Sequence, residues 1–167
     1  MLSKKLPIIR DRAHMLAQVR HFFAERLVCE VDCPVLSAFA AIDSNIDLIS
    51  AQPHSGTRYL HSSPEYGMKR LLAAGSGDIF QLAHVFRDGE VGNKHNPEFT
   101  MAEWYRLGVS FIEMIEETLN FIRLFLGHLP AVRVSYRELF HRYAHFDYVT
   151  ISESKLMQFI LDNQIEM

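Results

Sequence analysis

The amino-acid sequence predicts an α+β fold in which an antiparallel sheet is flanked by helices. The first observation is a pair of segments, residues 78–87 and 98–107, that are rich in apolar and aromatic residues and lie on either side of a polar loop. This arrangement is typical of a β-hairpin. The second observation is a series of Ser or Thr residues, each followed three positions later by Glu, which is a signature of helix starts. Strand and helix signals follow one another without repeats, and this order favours one mixed domain.

The first part of the chain predicts one long helix followed by short strands. Residues 10–27 carry apolar side chains at helical spacing along one side. Residues 28–31 are typical of a strand, and Pro34 would end it because proline cannot donate a ladder hydrogen bond. Residues 46–49 and 57–61 could form two further short strands.

A second helix is predicted to follow these strands. Ser62 or Ser63 is suited to the N-cap, and Pro64 to the first helical position, where its missing N–H is not needed. Gly75 would end this helix. In the simplest interpretation, Ser63 is only a cap and Glu65 is only a first-turn acid favoured by the helix dipole.

The predicted hairpin carries the residues with the most chemistry. Because side chains alternate along a strand, Phe99, Glu103 and Tyr105 share one face. Arg87 lies where the same face of the first strand meets the loop. A guanidinium, a ring, a carboxylate and a phenol on one surface suit a ligand with a phosphate, a flat base and an ammonium group. In the simpler interpretation, Arg87 is a solvated cation and Phe99 a core residue. Trp104 falls on the opposite face, where we expect it to pack.

Three capping boxes predict the helices that follow the hairpin. In this motif a Ser or Thr and the Glu three positions later each bind the other's backbone N–H. The boxes are Ser110 with Glu113, Ser135 with Glu138, and Thr150 with Glu153. The predicted helices cover residues 111–126, 136–143 and 152–162. Gly127 would end the first of them.

Composition limits the class of protein. The 167 residues are 49% hydrophobic with a formal net charge of −3, which is enough for one core and argues against a basic nucleic-acid-binding protein. No stretch reaches the roughly 20 apolar residues of a membrane span, and residues 1–12 lack a signal-peptide pattern. We therefore expect a cytoplasmic location and no membrane partner. Cys29 and Cys33 are too far apart in extended chain for a disulfide, and His54 with His61 is too sparse for a metal site.

Several motifs resemble one enzyme family. The Phe-Arg pair at residues 86–87, with the run HNPEFTM at residues 95–101, resembles motif 2 of the class II aminoacyl-tRNA synthetases in their lysine-type branch. The run EWYR at residues 103–106 is similar, more narrowly, to the elongation factor P–(R)-β-lysine ligase family, which are paralogues of lysyl-tRNA synthetase. Residues 10–36 resemble motif 1. The run SSPEYGMKRLL at residues 62–72 resembles the family's substrate-binding segment.

The resemblance implies a class II synthetase fold, ATP and Mg²⁺ as cofactors, and activation of lysine or β-lysine as an aminoacyl-adenylate. Arg87 matches the motif 2 arginine that stabilises charge on the reacting phosphate, and it is the implied catalytic residue. The implied ATP-binding residues are Arg87, Asp88, Gly89, Asn96 and Phe99. The implied substrate-binding residues are Ser63, Pro64, Glu65, Glu103 and Tyr105.

The resemblance also implies partners. The activated amino acid would pass to a lysine of elongation factor P, and the motif 1 region would form a homodimer. Barely ten residues precede the predicted first helix, so we expect no anticodon-binding domain and do not expect tRNA as a substrate. Two alternatives stay open. One is a non-catalytic remnant or dimerisation module of the same family, and the other is a fragment of a lysyl-tRNA synthetase that acts on tRNA.

Three features depart from the family's pattern. No glycine follows Gly127, whereas motif 3 is glycine-rich, so we expect residues 1–167 to form an incomplete catalytic domain that does not complete activation by itself. Gly89 stands where the family has a glutamate, and Glu90 is expected on the opposite face because a one-residue shift reverses the side chain. Leu27 stands at a glycine turn. Since leucine at positive φ costs about 1 kcal/mol or more, we expect that turn to be built differently.

Overall fold

A computed structural model describes residues 5–165, and the chain divides after Gly127 into two compact units. The elements of the first unit are helix α1 (Leu6–Ala24), strands β1 (Cys29–Glu30), β2 (Leu36–Ser37), β3 (Ser50–Ala51) and β4 (Arg58–Leu60), helix α2 (Glu65–Ala73), strands β5 (Ile79–Phe86) and β6 (Glu98–Tyr105), and helix α3 (Phe111–Leu126). The elements of the second unit are helices α4 (Tyr136–Ala144) and α5 (Glu153–Asp162). This mixture of helices and small sheets confirms the α+β class.

The strands form two three-stranded sheets, one in the order β1-β5-β6 and one in the order β2-β4-β3. Strands β5 and β6 are antiparallel from Ile79 opposite Tyr105 to Phe86 opposite Glu98, which confirms the predicted hairpin. Strand β1 instead runs parallel to β5, so the larger sheet is mixed rather than antiparallel throughout. Parallel neighbours need a long crossover connection, and here the smaller sheet and α2 supply it.

An aromatic cluster joins α1 and α3 to the face of the hairpin that is opposite Phe99 and Glu103. Phe23 of α1 is fully buried and stacks on Phe80 of β5, with ring centroids 4.4 Å apart. Trp104 of β6 lies 5.4 Å from Phe23 and 5.2 Å from Phe121 of α3. Trp104 is therefore a packing residue, as predicted. Each such ring buries roughly 150–250 Å², so the cluster strongly favours this face as the inner one.

The turn after α1 corrects one sequence expectation. Leu27 adopts φ +56 in the left-handed region, so the chain keeps the glycine-type turn and builds it with leucine. The Leu27 N–H donates to Ala24 O and the Val28 N–H donates to Phe23 O, both at 3.0 Å, which is the Schellman pattern of helix ends. The Leu27 side chain is 90% exposed. The turn persists because burial of Phe23 and Val28 on either side outweighs the local strain.

An ion-pair network closes the open end of the hairpin. Arg106, just after β6, places Nη1 2.9 Å from Glu117 Oε2 of α3. The Nε of Arg106 lies 2.9 Å from Asp78 Oδ2, but the geometry is not that of a hydrogen bond. This contact is therefore an ion pair without a hydrogen bond. Asp78 also accepts the Leu107 N–H at 2.7 Å. The side chains of Arg106 and Glu117 are only 16% and 13% exposed, so solvent screens this pair less than a surface pair.

Most predicted helix boundaries agree with the structure. Ser110 and Ser135 each form the full capping box, so α3 and α4 begin where expected, and Gly127 ends α3 at φ +69. The predicted box at Thr150 is wrong, because α5 has Ser152 at its N-cap. Thr150 belongs instead to a turn in which its N–H donates to Asp147 O at 3.1 Å.

The remaining elements shift by a few residues from their predicted positions. Helix α1 begins at Leu6 rather than residue 10, and Gly75 follows the end of α2 at φ +87, as expected. The predicted strand at residues 46–49 is wrong, because β3 begins only at Ser50. Within the segment, Asp47 makes an isolated bridge to Asp88, and Ile49 O accepts the Leu60 N–H at 3.0 Å. Both cysteines are free thiols, as expected.

In the second unit, α4 and α5 carry a small aromatic cluster. Phe146 lies 5.1 Å from Phe140 and 4.9 Å from Phe159, in edge-to-face geometry. Aromatic pairs in this geometry are worth about 0.5–1.5 kcal/mol beyond the area that they bury. In the part of the chain that the structure describes, no helix combines the length and the apolar character that crossing a membrane requires.

The turn at Leu27 predicts an unusual stabilising substitution. Leu27→Gly should raise the free energy of unfolding by up to about 1 kcal/mol, because glycine removes the left-handed strain and the lost side chain is exposed. Leu27→Ala keeps the strain and is the matched control, with no gain expected. The measurement is urea denaturation followed by circular dichroism. A Leu27→Gly chain no more stable than Leu27→Ala would contradict the argument.

Candidate functional site

Two clefts adjoin the site face of the hairpin, and both are in the first unit. The first, the α2 cleft, has a volume of about 590 Å³ and is lined by parts of residues 33–46 and 59–67 together with Arg70, Arg87 and Met101. The second, the loop cleft, has a volume of about 600 Å³. Its lining residues are Arg87, Gly89, Glu90, Val91, Lys94, His95, Asn96 and Phe99. Arg87 lines both clefts.

The hairpin register places the predicted residues on one face. Phe99 lies opposite Val85, and Glu103 lies opposite Gln81. Directly opposed residues of antiparallel strands point to the same side, so Phe99, Glu103 and Tyr105 share the face expected from their spacing. The Arg87 N–H donates to Pro97 O at 2.9 Å and extends the pairing by one step into the loop.

Arg87 is held beside an aromatic ring and a carboxylate. Its guanidinium carbon lies 5.3 Å from the centroid of the Phe99 ring, within the range of a cation–π contact. Its Nη1 lies 3.7 Å from Glu90 Oε1. The Arg87 side chain is 24% exposed, and its buried Nε has no hydrogen-bond partner among residues 5–165. Arg87 therefore retains donor capacity for an anionic ligand.

The position of Glu90 corrects the expectation that it would face away from Arg87. That expectation assumed extended backbone through the loop, but Gly89 adopts φ +72 and breaks the alternation. Glu90 consequently returns to the side of Arg87 and lines the loop cleft. A glycine, which favours positive φ, two residues after the predicted end of the strand at residue 87 was the sequence signal that could have revealed this turn.

Asp88 is the predicted ATP-binding residue that does not line either cleft. Its backbone N–H donates to Asp47 O at 2.8 Å, and its carboxylate accepts the Gly89 N–H at 3.0 Å. Asp88 therefore shapes the loop through backbone contacts. Asn96 does line the loop cleft, and so do Lys94 and His95, which the sequence analysis did not assign to a site.

Glu103 is the centre of a hydrogen-bonded group on the site face. The Ser63 hydroxyl donates to Glu103 Oε2 at 2.7 Å, and the Tyr105 hydroxyl donates to Glu103 Oε1 at 2.7 Å. Ser63 Oγ in turn accepts the Glu65 N–H at 3.0 Å. The N-cap of α2 is Pro64, which is fully buried, so the expectation of Ser62 or Ser63 at the N-cap with Pro64 at the first helical position is wrong by one residue. Ser63 instead precedes the N-cap and links the start of α2 to β6.

Burial and neighbouring charge affect two ionisable groups of this cluster. Burial is the main cause that raises the pKa of Tyr105, and the hydrogen bond to Glu103 raises it further. The phenol is therefore protonated at neutral pH and remains a donor. Burial, followed by the negative charges of Asp32 and Glu103, raises the pKa of the Cys33 thiol. Cys33 is accordingly a neutral packing residue rather than a nucleophile.

Glu65 forms an ion pair with the ammonium of Lys69, one helical turn further along α2. The hydrogen bond to Glu65 is the main cause that raises the pKa of Lys69. Glu65 is the first residue of α2, and Ser63, which donates to Glu103, lies two positions before it. Of the predicted substrate-binding residues, Ser63, Pro64 and Glu65 line the α2 cleft, whereas Glu103 and Tyr105 line neither cleft and connect to it through Ser63. Arg87 lies at the junction of the two clefts.

The sequence is similar to one family of enzymes and to individual members of known function. The profile of a family described as tRNA synthetases class II (D, K and N) matches residues 3–159. An elongation factor P–(R)-β-lysine ligase from Haemophilus influenzae (strain PittGG) is 43% identical over 162 residues, which are 93% of this chain and 50% of the relative. A ligase of the same name from Avibacterium paragallinarum is 42% identical over 162 residues, and one from Pasteurella multocida (strain Pm70) is 41% identical over 161 residues. Each match covers 93% of this chain and 50% of the relative. The chain spans about half the length of these relatives.

The close approach of α2 to residue 33 predicts an unfavourable Gly→Ala substitution. A Cβ at Gly67 would lie 2.7 Å from Cys33 Cβ and 2.8 Å from Cys33 Sγ. Gly67→Ala should therefore destabilise the protein by about 1–3 kcal/mol, although alanine normally stabilises a helix by about 1 kcal/mol over glycine. Gly92→Ala is the control, because a Cβ there meets nothing within 4 Å. Thermal denaturation is the measurement, and a Gly67→Ala chain as stable as the unmodified one would contradict the packing argument.

The contact between Glu90 and Arg87 predicts an effect on anion binding. Glu90→Gln removes a negative charge 3.7 Å from the guanidinium and should strengthen the binding of inorganic pyrophosphate, measured without Mg²⁺, about twofold to fivefold, the scale of a partly exposed ion pair. Glu98→Gln makes the same charge change beside His84 and should leave the affinity unchanged. Isothermal calorimetry measures both. Equal effects of the two substitutions would show that only net charge matters.

Proposed function

The chain belongs to the family of class II tRNA synthetases (D, K and N), and from that premise we propose that it carries the ATP and amino-acid site of an elongation factor P–(R)-β-lysine ligase. The proposed reaction activates lysine or β-lysine as an aminoacyl-adenylate and transfers the aminoacyl group to a lysine of elongation factor P. The relatives that cover most of this chain are ligases of that name.

The observation that carries the proposal is the place of Arg87 between the two clefts. A nucleotide in the loop cleft would stack its base on Phe99 and bring its phosphates to Arg87. An amino acid in the α2 cleft would bring its carboxylate to the same guanidinium. The two reacting groups would then meet at one fixed cation, which is the arrangement that an acyl-adenylate synthesis requires.

The first proposed step is attack by a carboxylate oxygen of the amino acid on the α-phosphorus of ATP. A new oxygen–phosphorus bond forms, the bond to the bridging oxygen breaks, and pyrophosphate leaves with the electron pair. Negative charge increases on the phosphorus oxygens during this step, so Arg87 would stabilise the transition state more than the ground state. In the second step the amine of the target lysine attacks the acyl carbon, an amide forms, and AMP leaves.

Mg²⁺ is the proposed metal cofactor, carried with the nucleotide. Among residues 5–165 no group of three or more His, Cys, Asp or Glu is placed to hold a metal ion by itself. Mg²⁺ usually binds through substrate phosphates and only one or two carboxylates, so this residue set fits a metal that arrives with ATP. Glu90 is the carboxylate available at the loop cleft. Bound Mg²⁺ would neutralise charge on the triphosphate.

The amine-binding end of the proposed substrate site contains Glu65, Glu103 and Tyr105. Two carboxylates suit a substrate with two ammonium groups, and Glu65, which pairs with Lys69 in this structure, would exchange that ammonium for one of the substrate's. Glu103 is already fixed by Ser63 and Tyr105, which leaves it little freedom to rotate. A fixed carboxylate loses less entropy on binding an ammonium than a mobile one would.

The other proposed nucleotide contacts are Gly89, Asn96 and the backbone around Asp88. Asn96 lines the loop cleft and offers an amide donor and acceptor. Gly89 lets the loop backbone approach the ligand, since nothing lies within 4 Å of where its Cβ would be. We propose elongation factor P as the acceptor and the cytoplasm as the location, and we do not propose tRNA as a substrate.

A second candidate function is a dimerisation module without catalysis. Leu6, Ile8 and Ile9 of α1 are each more than half exposed, and exposed apolar side chains on one helix favour a partner. A homodimer through the α1 and β1 region is compatible with both candidates. A module of this kind would associate yet bind no ATP, so nucleotide binding separates the two. A lysyl-tRNA synthetase fragment is the third candidate.

The test of the proposed function is ATP binding by Arg87 variants. Arg87→Ala should weaken ATP binding by about 1.5–3 kcal/mol, the range for a hydrogen bond to a charged group. Arg87→Lys should recover only part of the loss, because lysine cannot form the two-pronged contact of a guanidinium with phosphate. Isothermal calorimetry with ATP and Mg²⁺ measures the three affinities.

The control for this test is Arg20→Ala, which removes an arginine that pairs with Glu30 away from both clefts. It should leave ATP affinity unchanged. Equal ATP affinity for the Arg87→Ala and unmodified chains would reject the role of Arg87. No ATP binding by the unmodified chain would favour the dimerisation module.

A further inference from the structure

Gln81 is a buried polar residue whose surroundings suggest a role in the site. Its side chain is 2% exposed, and it lies in the middle of β5, directly opposite Glu103 across the hairpin. Opposed residues point to the same side, so Gln81 lies on the same face of the hairpin as Glu103. Burying an amide is unfavourable unless hydrogen bonds satisfy it, so the partners of Gln81 define what it does.

Both partners of Gln81 belong to the backbone of Cys33. The Cys33 N–H donates to Gln81 Oε1 at 3.0 Å, and Gln81 Nε2 donates to Cys33 O at 3.5 Å, the weaker of the two contacts. Main-chain pairing of this segment with β5 includes the Val31 N–H, which donates to Phe80 O at 2.8 Å. The side-chain amide of Gln81 extends this pairing with β5 by two residues, from Val31 to Cys33. It thereby fixes the chain at Cys33.

Cys33 supports α2 at a contact that leaves no spare room. A Cβ at Gly67 would lie 2.7 Å from Cys33 Cβ, so the helix backbone rests directly on Cys33. The same helix begins at Glu65, and the preceding Ser63 donates to Glu103 at 2.7 Å. Cys33 therefore contacts both the residue opposite Glu103 and the helix that begins at Glu65.

We propose that Gln81 is a positioning residue that sets the separation between Glu65 and Glu103, and thereby the length of the amino acid that the site accepts. The inference rests on the proposed function, in which these carboxylates bind the two ammonium groups of the substrate. The contacts form a closed circuit. Gln81 binds the backbone of Cys33, and Cys33 packs against α2 at Gly67. Ser63, just before α2, donates to Glu103, which lies opposite Gln81 in the hairpin. A closed circuit resists a change in length because every member is held from two sides.

The amide of Gln81 is the group that suits this position. It accepts the Cys33 N–H and donates to the Cys33 carbonyl while adding no charge opposite Glu103. A carboxylate at residue 81 would repel Glu103 and could not donate when ionised. An apolar side chain would leave the buried Cys33 N–H without its partner.

The experiment compares lysine with ornithine, which is shorter by one methylene, as ligands of the Gln81→Met chain. Calorimetry should show that the unmodified chain prefers lysine by roughly tenfold or more, the scale on which enzymes discriminate one methylene. In Gln81→Met the preference should fall to about twofold, because α2 is no longer held at one distance from Glu103. A residue that served stability alone would lower both affinities together. An unchanged ratio in Gln81→Met would therefore overturn the proposal.

The control is Gln18→Met, which makes the same chemical change on α1, away from the two clefts. Its lysine-to-ornithine ratio should equal that of the unmodified chain, and a comparable fall in the control would overturn the proposal. Where circular dichroism shows that Gln81→Met does not fold, Gly67→Ala disturbs the same circuit from the helix side and should reduce the ratio in the same way. A folded Gly67→Ala chain with an unchanged ratio would also overturn it.

The outcomes distinguish this inference from the proposed function. No lysine binding by the unmodified chain refutes the proposed function, and the inference fails with it. Lysine binding that depends on Glu103, measured with Glu103→Gln, combined with a ratio that Gln81→Met leaves unchanged, refutes the positioning role alone.

Discussion

The pairing of β5 with β6 is the constraint on which the rest of the site depends. Its register, from Ile79 opposite Tyr105 to Phe86 opposite Glu98, decides which side chains face the clefts and which face the helices. A slip by one residue would exchange the two faces, because side chains alternate along a strand. Glu103 would then enter the aromatic cluster, and Trp104 would enter the site. The aromatic packing of Trp104 and the ion pairs of Arg106 at the open end both oppose such a slip.

On this framework the site separates opposite charges. Arg87 lies at the loop end of the hairpin, while the carboxylates of Glu65 and Glu103 lie towards α2. A ligand that carries both an anionic and a cationic end can therefore satisfy both parts of the surface at once. Glu90 complements this arrangement, because it places a carboxylate beside Arg87 and limits the net positive charge of the loop cleft.

Much of the fold could be predicted from the sequence, because the relevant signals are local. The hairpin follows from two apolar, aromatic-rich segments on either side of a polar loop, and α3 and α4 follow from capping boxes whose partners are three residues apart. The expectations that failed also rested on local sequence patterns, but other contacts of the folded chain competed with the predicted ones. Thr150 satisfied the capping pattern, yet the turn at Asp147 held its N–H and the helix began with Ser152 at its N-cap. The segment expected as a strand at residues 46–49 pairs at separate points with two different partners, Asp47 with Asp88 and Ile49 with Leu60, so it forms no continuous ladder.

The sequence by itself determined which face of the hairpin carries Phe99, Glu103 and Tyr105, since parity along a strand needs no knowledge of distant residues. Only the tertiary structure decided what those residues touch. Ser63 meets Glu103 across 40 positions of sequence, and Cys33 meets Gln81 across 48. No local pattern encodes such contacts, because they arise when separate elements pack together. The same packing imposes the left-handed turn at Leu27, where the burial of its neighbours outweighs the preference of the residue itself.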